Sequence, residues 1–279
     1  YFLLKPDHKY VDPDTIFQFQ FHPRMHDLGE KVILGQKFGP EVADKMAEDE
    51  GDQVLDLLCR QPATAHFIAT KLCRHFVSDN PPENLVQKVA DKYMETGGDI
   101  REMLRTLFTS PEFYNPRYYR AKVKTPLEYL ASALRATDAK LDDPVKLSQV
   151  LGGMGEPLYQ CEPPTGYPDD AKSWISSGEL LNRMNFGLGL LSNHSPATVD
   201  LAEVIPAINS TDSTDGKKIL NGFFKAFLQG QVSASTRRVL VKRLADPEIT
   251  HAVLDDRNKD IQVVKLGALV LGSPDFQRR

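Results

Sequence analysis

The chain has 279 residues, of which 41% are hydrophobic and 26% charged, a balance typical of a globular protein with a sizeable core. Its net charge of -4 gives no electrostatic reason to expect binding to nucleic acid or to an anionic membrane surface. No apolar run approaches the roughly 18 to 20 residues that a bilayer-spanning helix requires. We therefore expect no nucleic-acid partner and no membrane span.

The first 21 residues indicate a short β-hairpin. Phenylalanine alternates with glutamine across residues 17–21, which is the period of a strand, and Asp12-Pro13-Asp14 is a turn signal just before it. The chain begins at Tyr1 without methionine or a signal-peptide pattern, so we interpret it as a piece of a longer precursor. An exposed strand at 17–21 would pair with the missing N-terminal portion. One hypothesis is therefore that the chain is the proteolytic core of a larger assembly.

From residue 51 onward, helix signals recur along the chain. Asp52 and Asp99 each stand as an N-cap before an apolar-periodic run. Proline at the first helical turn is equally typical, and we predict further helices that open at Pro62, Pro81-Pro82, Pro126 and Pro144. The remaining predicted helices follow Ser173 or Ser176, Thr214-Asp215, Ser233 or Ser235, and Asp260, the last ending at Leu271.

These signals predict a mainly α fold. We expect a multi-helix orthogonal bundle with a small N-terminal β-hairpin and a long ordered proline-rich loop. Residues 1–50 are expected to form the hairpin and an irregular segment packed on the helices. Residues 51–279 are expected to form one helical domain, with any further boundary near 152–172.

The most constrained stretch is residues 157–174, which contains four prolines and the only tryptophan, Trp174. Because proline fixes φ and has no amide donor, this stretch can be neither a helix nor a central strand. We predict an ordered loop anchored by Trp174, since an indole buries a large apolar area and needs one hydrogen-bond acceptor.

Two interpretations of this loop remain open. In the structural one, Arg183 forks onto Asp169 or Asp170 and pins the loop to the following helix. In the functional one, aromatic faces and planar polar groups form a pocket for a sugar or a peptide. The ligand-binding residues would then be Tyr159, Tyr167, Trp174, Asn182, Arg183 and Asn185.

Candidate catalytic residues are few. Asp27 beside His26 could orient an imidazole for acid–base chemistry, although Asp27 could equally cap the segment that reaches Leu34. Asp169 and Asp170 are the other acid–base candidates. A hydrolase that uses these four residues is the enzymatic hypothesis.

Other chemistry has little support. His66 and His75 lie nine residues apart, which is not the spacing that lets one helical face bind zinc. There is no Gly-x-Ser-x-Gly, and Gly152-Gly153-Met154-Gly155 follows a helix instead of preceding one, the wrong order for dinucleotide binding. We therefore expect no metal and no cofactor. Cys59, Cys73 and Cys161 form no Cys-x-x-Cys, and we expect three free, buried thiols, with a bridge from Cys161 as the alternative.

Several short segments together resemble the bacterial family called domain of unknown function 1800. They are His26-Asp-Leu-Gly-Glu-Lys31 with Leu34-Gly35, Pro62-Ala-Thr-Ala65 with Lys71-Leu72, Gly98-Asp99-Ile-Arg101, Ser110-Pro-Glu-Phe113, Lys122-Val-Lys-Thr-Pro126 with Leu134-Arg135, Gly152 with Pro157-Leu-Tyr159, Pro164-x-Gly166-Tyr-Pro168, Trp174, Leu181-x-Arg183-x-Asn185-Phe186 and Ser273-Pro-Asp-Phe-Gln277. No motif alone is specific, but their order and spacing cover nearly the whole chain.

The resemblance implies that the chain spans the C-terminal two thirds of the family domain. It also implies export to the periplasm or cell surface, and a partner that resembles the alkaline phosphatase and sulfatase superfamily. It supplies no catalytic residues. The leading functional hypothesis is thus an exported binding or accessory protein that acts on polysaccharide or cell-envelope material with that partner.

Overall fold

The computed structural model describes residues 21, 23–27, 29–39, 44–209, 216–244 and 256–279, with the backbone alone for 44–48, 207, 209 and 256–261. Twelve α-helices lie in these ranges, and the predicted mainly α fold is confirmed. They are α1 (Asp44–Cys59), α2 (Pro62–Phe76), α3 (Glu83–Thr96), α4 (Ile100–Thr109), α5 (Pro126–Ala136), α6 (Pro144–Gly153), α7 (Ser177–Leu191), α8 (Leu201–Val204), α9 (Gly216–Leu228), α10 (Ala234–Leu244), α11 (Asp256–Leu271) and α12 (Pro274–Gln277). Nowhere in the described ranges is a helix both long and apolar enough to cross a membrane.

The N-terminal hairpin is confirmed and lies at β1 (Lys31–Ile33) and β2 (Gln36–Phe38), which pair antiparallel with Val32 opposite Lys37. Leu34 and Gly35 both take positive φ, 50° and 80°, as a two-residue turn between twisted strands requires. The strand predicted at 17–21 lies outside the described residues apart from Phe21. A second antiparallel pair, β3 (Lys140–Leu141) and β4 (Ala197–Thr198), was not predicted, because two-residue strands carry no periodicity.

The chain divides into two compact units. Unit 1 comprises residues 1–69 and 86–106, and unit 2 comprises residues 70–85 and 107–279. These boundaries fall within α2, α3 and α4, so they match neither residue 50 nor the 152–172 segment. Sequence patterns indicate domain boundaries at turns, whereas here the boundaries lie inside helices, each of which contributes residues to both units. The predicted packing of residues 1–50 on the helices stays a prediction.

Unit 1 contains α1, most of α3 and the hairpin. Asp99 caps α4 as predicted, since its Oδ1 accepts hydrogen bonds from the backbone N–H groups of Arg101 and Glu102. The predicted cap at Asp52 is wrong, because α1 begins at Asp44 and Asp52 lies inside it. The exposed Gly51 looked like a helix boundary, but an isolated glycine in a helix costs only about 1 kcal/mol.

Unit 2 contains a large apolar core built by α5, α6, α7, α9, α10, α11 and α12. A Cβ added at Gly267 of α11 would lie 2.6 Å from Leu191 of α7 and 2.8 Å from Phe223 of α9. Glycine is therefore required where these three helices meet. Reciprocal capping boxes begin two helices of this core, with Thr125 and Glu128 at α5 and Ser176 and Glu179 at α7.

Candidate functional site

Trp174 anchors the 157–174 loop, as predicted. Its indole is buried and its Nε1–H donates to the Pro168 carbonyl at 2.9 Å. The Tyr167 ring lies 6.0 Å from the indole, and the Tyr167 hydroxyl donates to the Pro157 carbonyl at 2.6 Å. Both polar groups are thus satisfied within the loop, so these two side chains hold its shape.

Asp169 lies at the centre of a polar cluster in unit 2. We call it the Lys122 cluster and define it as His75, Asp79, Lys122, Asp169 and Arg279. The buried Lys122 ammonium lies 2.8 Å from both Asp79 Oδ1 and Asp169 Oδ1, and it also donates to the Asp169 carbonyl at 2.9 Å. Asp79 Oδ2 accepts the Ala171 N–H at 2.8 Å. The cluster therefore ties the loop to the residues that follow α2.

Asp169 also contacts an imidazole. His75 Nδ1 lies 2.9 Å from Asp169 Oδ2, so Nδ1 donates to the carboxylate, and in the neutral form of this half-exposed ring Nε2 is an acceptor. Burial raises the pKa of Asp169, but hydrogen bonds from Lys122 and His75 outweigh it, and the pKa lies below its ordinary value. Asp169 is therefore ionised and orients His75. These residues stand 94 positions apart, which hides the pairing from sequence patterns.

Arg279 extends the cluster to α5. Its Nη1 lies 2.8 Å from Glu128 Oε1, and its Nη2 donates to the His75 carbonyl at 3.2 Å. The backbone of this segment also contacts the C-terminal residues, since the Arg279 N–H donates to the Lys122 carbonyl at 3.0 Å and Val123 forms a bridge with Arg278. Segments quoted above for the family resemblance thus meet here, although none of them suggested that Lys122 was central.

Arg183 does not pair with Asp169 or Asp170. Its buried guanidinium donates from Nη1 to Gln277 Oε1 at 2.8 Å, and it lies over the Tyr129 ring, 5.5 Å from the centroid. Burial lowers the pKa of Arg183, an effect that surrounding acidic groups partly oppose. The predicted fork is therefore wrong, because α7 turns Arg183 into the core beneath α12. Asp170 instead caps the short 3₁₀ turn Ala171–Ser173 through the Ser173 N–H.

The other predicted ligand-binding residues are Asn182, Asn185 and Tyr159. Asn182 donates from Nδ2 to the Gly153 carbonyl at 2.6 Å and links α7 to α6, while Asn185 is exposed. Tyr159 is fully exposed with a positive φ of 60°. Tyr167, Trp174 and Arg183 are engaged in internal contacts, and the ion pair that holds the loop is Asp169 with Lys122. Ligand binding by the six loop and helix residues stays a prediction.

His26 and Asp27 belong to unit 1 and do not form a pair with each other. His26 Nε2 lies 3.0 Å from Glu50 Oε2, which also binds the Lys31 ammonium at 2.9 Å. The hydrogen bond from Lys31 is the main cause that lowers the pKa of Glu50. Asp27 Oδ1 accepts the Gly29 N–H at 2.9 Å and so shapes a turn. The carboxylate partner of His26, Glu50, was not among the predicted residues.

The three cysteines are free thiols. Cys73 is buried, and burial raises its pKa to about 12. Cys59 is exposed, contrary to the expectation of burial, because it lies at the end of α1 where the chain turns toward α2. No group of three or more metal-ligating side chains is present in the described part of the chain.

A cavity of about 1040 Å³ opens in unit 2 between the end of α7, β4, α8 and α11. We call it the α7–α11 cavity. Its walls are largely apolar and include Leu188, Leu191, Val199, Val204 and Val263. Sequence reasoning missed it because these residues come from elements separated by loops.

The rim of the α7–α11 cavity is polar and charged. It carries the exposed side chains Asp138, Lys140, His194, Asp200, Glu203 and Lys265. His194 Nδ1 lies 2.8 Å from the Ser192 carbonyl, so Nδ1 carries the proton and Nε2 remains an acceptor. Apolar walls with a few oriented polar groups are the usual composition of a ligand site.

Comparison with protein families gives one match. A family model described as "Protein of unknown function (DUF1800)" matches residues 9–278, nearly the whole chain. No match was found among curated proteins or among solved structures.

Proposed function

The chain belongs to the DUF1800 family, and we propose that it is a ligand-binding protein of the bacterial cell envelope that holds a segment of polysaccharide in the α7–α11 cavity. The observation that carries this proposal is the cavity itself. Its volume, about 1040 Å³, lies at the upper end of the roughly 300–1000 Å³ found for ligand sites. A site of this size accommodates an oligomer more naturally than a single small metabolite.

The lining of the cavity supports a saccharide. Sugar rings have apolar C–H faces and a belt of hydroxyl groups, so they need an apolar wall beside hydrogen-bond acceptors. Leu188 and Leu191 supply the wall. Asp138, Asp200 and Glu203 supply carboxylate acceptors on the rim, and the Nε2 acceptor of His194 adds another.

The proposed site differs from the loop that the sequence suggested. Four of those six residues are engaged in internal contacts, namely Tyr167, Trp174, Asn182 and Arg183, whereas the cavity rim is exposed. The family resemblance adds two elements to the proposal. The protein is exported to the periplasm or cell surface, and it acts with an exported partner that resembles the alkaline phosphatase and sulfatase superfamily. Mass spectrometry of intact complexes purified from the source cells would test the partner.

Calorimetric titration with a chitin tetrasaccharide tests the cavity. The variant Leu188→Trp fills the cavity mouth from an exposed position, and we expect it to weaken binding at least tenfold. Leu181→Trp is the matched control, since Leu181 is exposed on α7 two turns away and lies outside the lining. In a second pair of variants, Glu203→Gln removes a carboxylate from the cavity rim, and its control Glu162→Gln removes one from the loop outside the lining. The proposal fails if the unmodified chain does not bind, or if both tryptophan variants bind equally well.

The contact between His75 and Asp169 favours one alternative, a hydrolase. Asp169 would orient His75, and Nε2 would take a proton from water as the water oxygen attacks an acyl carbon. The proton would then pass to the departing alkoxide. This alternative predicts hydrolysis of p-nitrophenyl acetate that falls about 100-fold or more in His75→Ala, with His66→Ala as control. An unchanged rate in His75→Ala would exclude it.

A further inference from the structure

Residues 113–127 contain four cations and no acidic residue, although the whole chain has a net charge of -4. Three tyrosines stand among these cations, at positions 114, 118 and 119. Lys122 is neutralised by two carboxylates in the Lys122 cluster. The two arginines and the three tyrosines form a surface that we call the 114–120 platform, defined by Tyr114, Arg117, Tyr118, Tyr119 and Arg120.

The platform presents aromatic rings to solvent. Tyr114 is 72% exposed and Tyr119 is 65% exposed. The Tyr114 ring packs edge-on against Phe113, which packs in the same way on Phe108. The Tyr119 hydroxyl donates to Gln231 Oε1. Rigid, exposed rings cost little conformational entropy when a ligand stacks on them.

The arginines of the platform are also held in place. The Arg117 guanidinium lies over the Tyr118 ring at 6.0 Å, and that of Arg120 lies over the Tyr119 ring at 5.7 Å. Arg120 takes a positive φ of 52°, which an L-residue seldom adopts, and its Nη1 donates to the Gln231 carbonyl at 3.0 Å. The local backbone is therefore held in an unusual conformation that places cations beside aromatic rings.

The charge of Arg117 in the platform is not balanced by a nearby carboxylate. No carboxylate pairs with Arg117 among the described residues. Asp275 lies close enough to Arg120 to be stabilised by it, but its closest partner is Ser233, at 2.8 Å from the hydroxyl. Burial is the main cause that lowers the pKa of nearby Lys124 to about 8, and repulsion from Arg120 adds to it. An anionic partner would relieve this repulsion.

We infer that the 114–120 platform binds an acidic polysaccharide, with Tyr114 and Tyr119 against the sugar faces and the guanidinium of Arg117 on a carboxylate. A planar guanidinium forms two parallel hydrogen bonds to a carboxylate, and tyrosine rings match the apolar faces of pyranoses. The inference rests on the proposed function as a polysaccharide-binding protein. It adds a second contact surface on unit 2 and specifies uronic acid as the ligand chemistry.

Affinity electrophoresis in gels containing polygalacturonate tests the inference. Fully methyl-esterified polygalacturonate is the matched ligand, because it keeps the backbone and removes the charge. We expect the double variant Tyr114→Ala/Arg117→Gln to weaken binding to polygalacturonate at least tenfold. The matched control is Tyr159→Ala/Arg238→Gln, which removes one exposed tyrosine and one exposed arginine elsewhere and should bind as the unmodified chain does.

Three outcomes would overturn the inference. They are equal binding of the two double variants, equal retardation by the methyl ester, and equal binding of single-stranded DNA with the same loss in Tyr114→Ala/Arg117→Gln. The last outcome would assign the platform to nucleic acid. Failure of the cavity proposal is separate, since Leu188→Trp leaves the platform intact and the platform variants leave the cavity intact.

Discussion

Removing the ammonium of the buried Lys122 should destabilise the fold more than the substitution of an exposed lysine would. The side chain is 4% exposed and bridges Asp79 and Asp169, whose side chains are 24% and 32% exposed. The substitution Lys122→Met keeps the length and apolar character of the stem while it leaves two carboxylates facing each other without a cation.

The magnitude follows from these contacts. Loss of one partner of a fully buried ion pair costs about 3–5 kcal/mol. Because water still reaches both carboxylates, we discount this value and expect Lys122→Met to lower the free energy of unfolding by about 2–4 kcal/mol. The control Lys172→Met, at an exposed position in the same loop, should change it by no more than about 0.5 kcal/mol.

The loss of unfolding free energy in Lys122→Met should depend on pH in a defined direction. The folded-state pKa of Asp169 is lowered, so its interactions contribute stability above the ordinary aspartate pKa of about 4 and lose it as pH falls through the lower folded value. The difference between the unmodified chain and Lys122→Met should therefore be largest near neutral pH and shrink below about pH 4.

These differences in unfolding free energy are measured by urea unfolding followed by the fluorescence of Trp174, which is buried and is the only tryptophan of the chain. A double-mutant cycle with Asp79→Asn isolates the pair. Asp79→Asn should cost less stability in the Lys122→Met background than in the unmodified chain, because the remaining carboxylate repulsion is removed. A cost below about 1 kcal/mol, or one that does not vary with pH, would refute the role given to Lys122.

Three further predictions concern packing, capping and thiol reactivity. Gly267→Ala should lower the free energy of unfolding by about 1–3 kcal/mol because its Cβ would overlap Leu191 and Phe223, whereas Gly178→Ala, with nothing within 4 Å, should raise it by up to about 1 kcal/mol. Equal urea midpoints for the two would contradict the close approach. Thr125→Ala should cost about 1 kcal/mol by removing the α5 cap, and Thr125→Ser should recover most of it if the hydroxyl is responsible. Iodoacetamide should alkylate the exposed Cys59 in the native state but Cys73, whose pKa is raised to about 12, only in urea, and native alkylation of Cys73 would show that it is accessible.

Local sequence signals predicted most helix starts well. N-caps and first-turn prolines act on the backbone next to them. Helix starts are therefore marked by Thr125-Pro126, Asp143-Pro144 and Asp99 whatever packs around them. The pattern Ser-Pro-acid-Phe occurs twice, at 110–113 and 273–276. Ser273 opens the helix α12, whereas Ser110 begins a turn, but the local hydrogen bonds are the same. Ser110 and Ser273 each donate a hydroxyl to the carbonyl three residues earlier, at 2.7 Å, and each accepts the N–H of the following phenylalanine.

The candidate site was predicted less well, and the reason is sequence distance. Asp169 was identified from its place in a constrained loop, but its partners His75 and Lys122 come from elsewhere in the chain. Arg183 seemed to face the loop because it follows it closely, yet the rotation of α7 turns it toward Gln277. A spacing rule cannot supply that rotation, which depends on what packs against α7.

The sequence by itself determined the helical class, the helix boundaries set by caps and prolines, the anchoring of the loop by Trp174, and the family. These depend on backbone geometry and on residues close together in the chain. Only the tertiary structure decided that Lys122 bridges Asp79 and Asp169, that Arg183 is buried, and that α7 and α11 leave a cavity. Such features depend on the relative placement of helices, which packing across the core determines.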